Sequence, residues 1–321
     1  TPAQLYQAFG APGAAAGRAV NYTADDYRNP KALQWQLSGE RELATNLKAG
    51  IGYTYVNTVR VARQRDTNLP APRVDVAGRN IYDGVRPLSP KFGITQAAES
   101  SSRALYRGLT TSFNARRSRF TWDAYYTLSW NKTFDDIERS LNINYADANN
   151  MIRDYNFSNI DERHQFITNS VWFLPHGFDV STTARFASGR PFSASAGSDV
   201  NSDGQVRDRA TINGQLALRN SYRNFGFRDI SLRVQRSFAL PNERGRIIIS
   251  GEAFNAFAFD NYLMGGSSTT YGPGVAIQNG SAVILAPPAA FLKSKDADGH
   301  LLRTGSVGDP VQVQLGLRFE F

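Results

Sequence analysis

Three observations predict an all-β chain, an antiparallel up-and-down transmembrane β-barrel of which about nine strands are present. The closing segment alternates strictly, the alternating segments run to about 10–14 residues, and the connections between them are short, long, short, long. In the closing segment Val311, Val313, Leu315, Leu317, Phe319 and Phe321 share one parity; Gln312, Gln314, Gly316, Arg318 and Glu320 share the other. Successive side chains of a strand point to opposite faces, so one face is wholly apolar. A soluble sheet turns such a face to its core. An outer-membrane barrel turns it to lipid and keeps the polar face around a wet lumen.

The segments follow in order. Leu33, Trp35 and Leu37 share a face in Leu33–Ser38. A short link, Glu42 to Asn46, leads to Leu47–Val59, where Leu47, Ala49, Ile51, Tyr53 and Tyr55 oppose Lys48, Gly50, Gly52 and Thr54. A long polar connection from about Ala62 to Ser102 precedes Leu105–Arg116. That strand turns at Arg117-Ser118 into Arg119–Lys132, with Trp122, Ala124, Tyr126, Leu128 and Trp130 on one face. A second long connection, about Thr133 to Glu162, leads to His164–Leu174, the turn Pro175-His176-Gly177, and Phe178–Ser188. A third, about Gly189 to Tyr222, leads to Phe225–Leu240, the turn Pro241 to Gly245, and Arg246–Phe259, whose inward parity is ambiguous because Ile248 and Phe254 break the pattern. A fourth, about Asp260 to Asp309, precedes the closing strand.

Strands of this length cross tilted hydrocarbon and exceed the usual soluble strand of about 5–6 residues. Loops beyond about 15 residues are uncommon in compact soluble domains. With Phe321 at the periplasmic rim, every short turn is periplasmic and every long loop extracellular. Thr1 to Lys31 lacks period-2 patterning, so residues 1–32 are assigned to an extracellular loop and 33–321 to the barrel wall. Bacterial single-chain barrels have even strand counts, so nine strands and the absence of a leader lead to the expectation of further strands upstream.

The chain has 321 residues and no stretch of 18 apolar ones, so no transmembrane helix is available. It contains no Cys, which removes disulfides and thiolate chemistry. A net charge of +8 is scattered along strands and loops rather than gathered in a stripe, and no nucleic-acid partner is expected. His164, His176 and His300 lie on separate segments, and no G-x-S-x-G elbow is present. Catalysis is therefore not expected.

Asp199, Asn201, Asp203 and Gly204 match the first half of a calcium loop, D-x-N-x-D-G. Ala210 stands where the bidentate acid belongs, and Asp208 is its substitute. Calcium binding and an Asx-rich surface turn are both open readings; no other cofactor is expected. Asp296, Asp298 and Gly299 form a weaker echo. Trp35, Tyr53, Tyr55, Trp122, Trp130, Trp172 and Phe319 are candidates for an interfacial aromatic girdle, the alternative being a soluble core. Arg185, Arg233, Glu252 and Arg318 fall on polar faces, either as a lumen-facing charge ladder or as a solvated sheet face. Leu317, Phe319 and Phe321 form an exposed, apolar strand end able to add to another sheet.

Several pieces carry a resemblance: Asn29-Pro30-Lys31-Ala32-Leu33-Gln34-Trp35, Asn159-Ile160-Asp161-Glu162-Arg163-His164, Gly189-Arg190-Pro191-Phe192 followed by Asp199 to Gly204, Glu252-Ala253-Phe254-Asn255, and the terminal Phe321. In order and spacing they resemble the C-terminal part of the barrel of TonB-dependent outer-membrane receptors. The similarity is greatest to Oar-like receptors with a carboxypeptidase-regulatory-like domain. The resemblance implies a barrel of about 22 strands with a plugged lumen. It also implies uptake of a small ligand powered by a TonB-type energy-coupling complex acting on an N-terminal region. The terminal Phe resembles the signal read by the barrel-assembly machinery. The expected location is the outer membrane of a Gram-negative bacterium, in contact with its lipid. The alternatives are a structural anchor or adhesin barrel without active transport, and a soluble carbohydrate-binding β-sandwich.

Overall fold

The structure is a computed structural model that describes residues 18–89, 91–135, 145–241, 245–295, 298, 303–306, 308 and 310–321. Nine long strands form one meander: β1 (Lys31–Ala44), β2 (Leu47–Asp66), β3 (Phe92–Arg117), β4 (Phe120–Thr133), β5 (His164–Leu174), β6 (Phe178–Ala187), β7 (Phe227–Ala239), β8 (Arg246–Phe254) and β9 (Gln312–Glu320). Each pairs antiparallel with its sequence neighbours, and the sheet stays open, with β1 and β9 as its edges. Connections alternate as the sequence predicts. The short connections after β1, β3, β5 and β7 join strands at one rim; the described parts of the long connections after β2, β4, β6 and β8 rise from the other.

Register fixes one apolar face across all nine strands. Trp35 lies opposite Tyr55, and Leu37 opposite Tyr53. Ile249 lies opposite Leu317 and Ile247 opposite Phe319. These side chains are bare: Leu315 is 84% exposed, Leu37 73% and Leu317 63%. An apolar band of this extent is far larger than a soluble monomer exposes, and it is the surface that hydrocarbon covers. No helix among the described residues is long and apolar enough to cross a membrane; the strands cross.

The short rim is built from tight turns. Asn46 takes a left-handed φ of 60° and its N–H donates to Glu42 Oε1 at 3.0 Å. Gly177 has φ 75°, and a Cβ there would meet the Ser237 carbonyl at 2.8 Å, so only glycine fits.

The structure extends or trims several predicted elements. β2 runs to Asp66 and β3 starts at Phe92, so the first long connection is shorter than expected. The register shifts around Val61, and beyond it Arg63, Gln64 and Asp66 are buried. These strand ends stand above the membrane against loops, where nothing imposes lipid-facing alternation. Within the segment read as unpatterned loop, Arg18–Thr23 is a strand that pairs in parallel with the upper part of β3. β8 ends at Phe254 because Asn255 turns left-handed, φ 45°, and its amide bonds both the N–H and the carbonyl of Phe259. The parity of β8 is also settled: Ile248 sits opposite Arg318, on the polar face.

The buried hydrophobic cluster lies in the loop layer, not under the sheet. Tyr145 and Ala148 pack there with Leu69, Ile94 and Met151. Two loop hairpins, Thr211–Ile212 with Gln215–Leu216 and Val275–Gln278 with Ser281–Ile284, turn on Asn213-Gly214 and Asn279-Gly280. All four turn residues have positive φ, as a type I′ turn requires.

Candidate functional site

The four charged residues singled out on the polar face, Arg185, Arg233, Glu252 and Arg318, fall into two groups. Arg233 of β7 is in register with Glu252 of β8, and their side chains meet at 3.0 Å. Arg318 reaches Glu320 at 3.0 Å, and Arg246 pairs with the same carboxylate. Arg185 stands apart from these. Its Nη2 donates to Glu162 Oε2 at 2.6 Å, and its guanidinium stacks over Phe227 at 4.7 Å. The sequence reading missed Glu162 and Glu320 as partners. Glu320 was detectable, because residues two apart on a strand share a face.

Glu162 and its neighbours join segments that the sequence singled out separately. Glu162 Oε1 also accepts from Arg190 Nε at 3.1 Å. The Asp161 carboxylate, fully buried, accepts the Asn131 N–H at 2.6 Å and a guanidinium N–H of Arg223. A Cβ at Gly189 would fall 1.7 Å from the Asn224 carbonyl oxygen. The chain can make this crossing only with glycine. The Asn159–His164 and Gly189–Phe192 stretches thus form one joint where the third loop leaves the wall.

Above this joint the long loops fold into a polar layer. Arg209 bonds Asp154, both almost fully buried, and Arg219 Nε donates to the Asp154 carbonyl at 2.8 Å. Arg86 bridges two loops, donating to Asp66 Oδ2 and to the Asp203 carbonyl, each at 2.6 Å. A cavity of about 360 Å³ opens within the layer, lined among others by Arg79, Asp147, Arg153, Asn201, Asp208 and Thr211. That volume suits a small ligand. Tyr82 donates to Asp147 Oδ1 at 2.6 Å; burial, with the nearby carboxylate, pushes its phenol pKa up.

The Asp199 loop forms one wall of this layer. Asp199 accepts the N–H groups of Asp203 and Gly204 at 3.2 and 2.9 Å. Asp203 accepts that of Gln205 at 2.7 Å, and Asp208 those of Val200 and Asn201 at 2.7 and 3.1 Å. Asp203 and Asp208 are 2% and 3% exposed. Burial, reinforced by neighbouring acids, pushes their carboxyl pKa values up to about 6 and about 7. Among the described residues no group of three or more His, Cys, Asp or Glu is placed to hold a metal. The oxygens of the motif are engaged by the loop's own backbone. The echo at Asp296 and Gly299 and the third histidine, His300, lie outside the described residues. His164 bonds the Tyr126 hydroxyl at 2.7 Å, and His176 sits in a periplasmic turn.

The aromatics named from sequence fall on the apolar face, and several of them stack there. Trp35 stacks on Tyr55 at 5.4 Å, and Phe120 on Trp172 at 4.8 Å. Trp122 Nε1 donates to Thr168 Oγ1 at 2.7 Å, so a hydroxyl on this face is satisfied. Leu317, Phe319 and Phe321 lie on or just beyond edge strand β9 and are exposed, Phe321 fully.

The sheet is similar in fold to that of the outer membrane transporter YddB from Escherichia coli. The TM-score is 0.51 at 10% identity, over 78% of this chain and 31% of that one. The FrpB iron transporter from Neisseria meningitidis, F3-3 variant, aligns with TM-score 0.43 and 11% identity over 77% of this chain and 30% of its own. The chain spans about a third of the length of these transporters. No curated protein sequence matches it. The profile of the outer membrane beta barrel domain family matches residues 1–218, and the chain belongs to this family of Gram-negative outer-membrane proteins.

Proposed function

We propose that the chain forms part of a receptor that takes up a small ligand across the outer membrane, by the TonB-coupled route of the Oar-like receptors it resembles. The strands build the wall. The loop layer captures the ligand, and reception rather than catalysis is its role. The observation that carries this reading is the cavity of about 360 Å³ walled by buried, mutually bonded loop side chains. Its rim offers Arg153, which has no ion pair among the described residues. A pure anchor has no need of such a chamber. The fold shared with YddB is compatible with transport.

The test is depletion of solutes from the medium by cells carrying the full-length gene, compared with a deletion strain and with cells whose inner-membrane energy coupling is removed. The expected result is one solute class whose uptake is lost in both. Uptake that persists without energy coupling would overturn the coupled route. No gene-dependent uptake at all would leave an anchor or adhesin.

A further inference from the structure

We propose that the extracellular rim of the apolar face, on β1 to β4, binds the phosphorylated headgroup of an outer-leaflet lipid. The register gathers four cations there. Lys31 lies opposite Val59, which lies opposite Arg103. On the same face, one row closer to the membrane centre, Leu33, Asn57, Leu105 and Lys132 align, and in the row below that Trp35, Tyr55, Arg107 and Trp130. Strand spacing and rise put the four cations within a patch roughly 14 by 13 Å.

None of the four is in an ion pair among the described residues. Three instead rest on aromatic faces. The Arg103 guanidinium lies 4.2 Å from the Tyr155 ring, Lys132 Nζ 5.1 Å from Phe157, and the Arg107 guanidinium 5.9 Å from Tyr55. A ring holds a cation by its π-face and leaves N–H groups free to meet acceptor oxygens. Arg28 and Arg60 add charge in an adjoining groove that also holds Asp26 and Glu99, and Glu99 is already engaged by Arg65.

What lies beneath decides for a lipid over a free phosphate. Leu33, Leu37, Ile51 and Leu109 continue the same face toward the membrane centre. Cations stand directly above acyl-covered surface, the arrangement that matches an amphiphile with an anionic head.

The experiment uses the full-length protein extracted from outer membranes in mild detergent, with bound lipid counted by native mass spectrometry. Lipid bearing a phosphate monoester should be retained over its enzymatically dephosphorylated form. The triple variant R103Q/R107Q/K132Q should lower retention at least about tenfold, and K132Q alone should give a smaller loss. R236Q, at the opposite rim, should change nothing. All variants are checked for the heat-modifiable gel shift of an assembled barrel. Equal retention of phosphorylated and dephosphorylated lipid by the wild type overturns the proposal, and needs no variant. So does equal retention by wild type and K132Q with an assembled triple variant unchanged. Displacement of the lipid by inorganic phosphate at low millimolar concentration would assign the site to free phosphate instead.

Discussion

Glu162 and Arg185 are joined by a 2.6 Å hydrogen bond between a loop base and the polar face of β6. The same carboxylate takes Arg190 from the following loop. One side chain therefore couples the wall to the chamber above it. Glu162→Gln keeps the shape and removes the charge on which both arginines depend. Both guanidinium groups are partly exposed, so screening limits the loss to about 1 kcal/mol. The expected outcome is faster proteolysis within 188–226, measured on intact cells, with an unchanged heat-modifiable barrel. Glu162→Lys should be worse, because three cations would then share one place. Equal proteolysis in wild type and both variants would remove the joint from the account.

The two faces of β9 make a sharper contrast. Leu315 is the most exposed large apolar side chain within a strand, whereas Gln314 lies opposite Glu252. Leu315→Arg places a cation in hydrocarbon at a cost of about 2–4 kcal/mol near the midplane. Gln314→Arg gains a carboxylate neighbour. Urea titration of the assembled protein should show a large loss for the first and little for the second. Comparable losses would contradict the assignment of faces.

Most of the wall was legible because lipid imposes a period of two. Trp122, Ala124, Tyr126, Leu128 and Trp130 display it wherever β4 crosses the bilayer. The upper parts of β2 and β3 were not legible for the same reason. Arg63, Gln64 and Asp66 are strand residues buried among polar loops, where no solvent contrast writes an alternation. Of the candidate site, Arg233 and Glu252 could be placed on one face by parity. That they touch required the register. The chamber was invisible: Arg209 meets Asp154 across 55 positions of sequence, and neither sits in a local motif.

Phe321 directly follows edge strand β9 with its side chain fully exposed. An unpaired edge with an exposed apolar face can add to another sheet, and we propose that the barrel-assembly machinery reads the edge at residues 317–321 so. Deleting Phe321 should lower the surface level of the protein, scored by whole-cell labelling. Phe321→Trp, which keeps an aromatic side chain beside β9, should restore most of it. Normal levels after deletion would end the targeting claim.

Asp203 and Asp208 give the loop layer a pH dependence with a definite sign. In an unfolded loop both titrate near the ordinary value of about 3.9. In the folded loop burial raises them to about 6 and about 7. The folded loop therefore binds more protons between about pH 4 and 7, and its stability falls as pH rises through that window. Above about 7 both carboxyls are charged in either state and the trend flattens. Limited proteolysis of residues 196–210, corrected for protease activity, should slow as pH is lowered from 8 to 5. Asp208→Asn should remove the larger part of the change. A calcium ion held by Asp199, Asp203 and Asp208 would keep the carboxylates ionised and reverse the sign. Repeating the series with and without a chelator therefore separates the two readings of the D-x-N-x-D-G stretch. Faster cleavage on acidification that a chelator abolishes would speak for the ion, and slower cleavage indifferent to chelation for an Asx-rich turn.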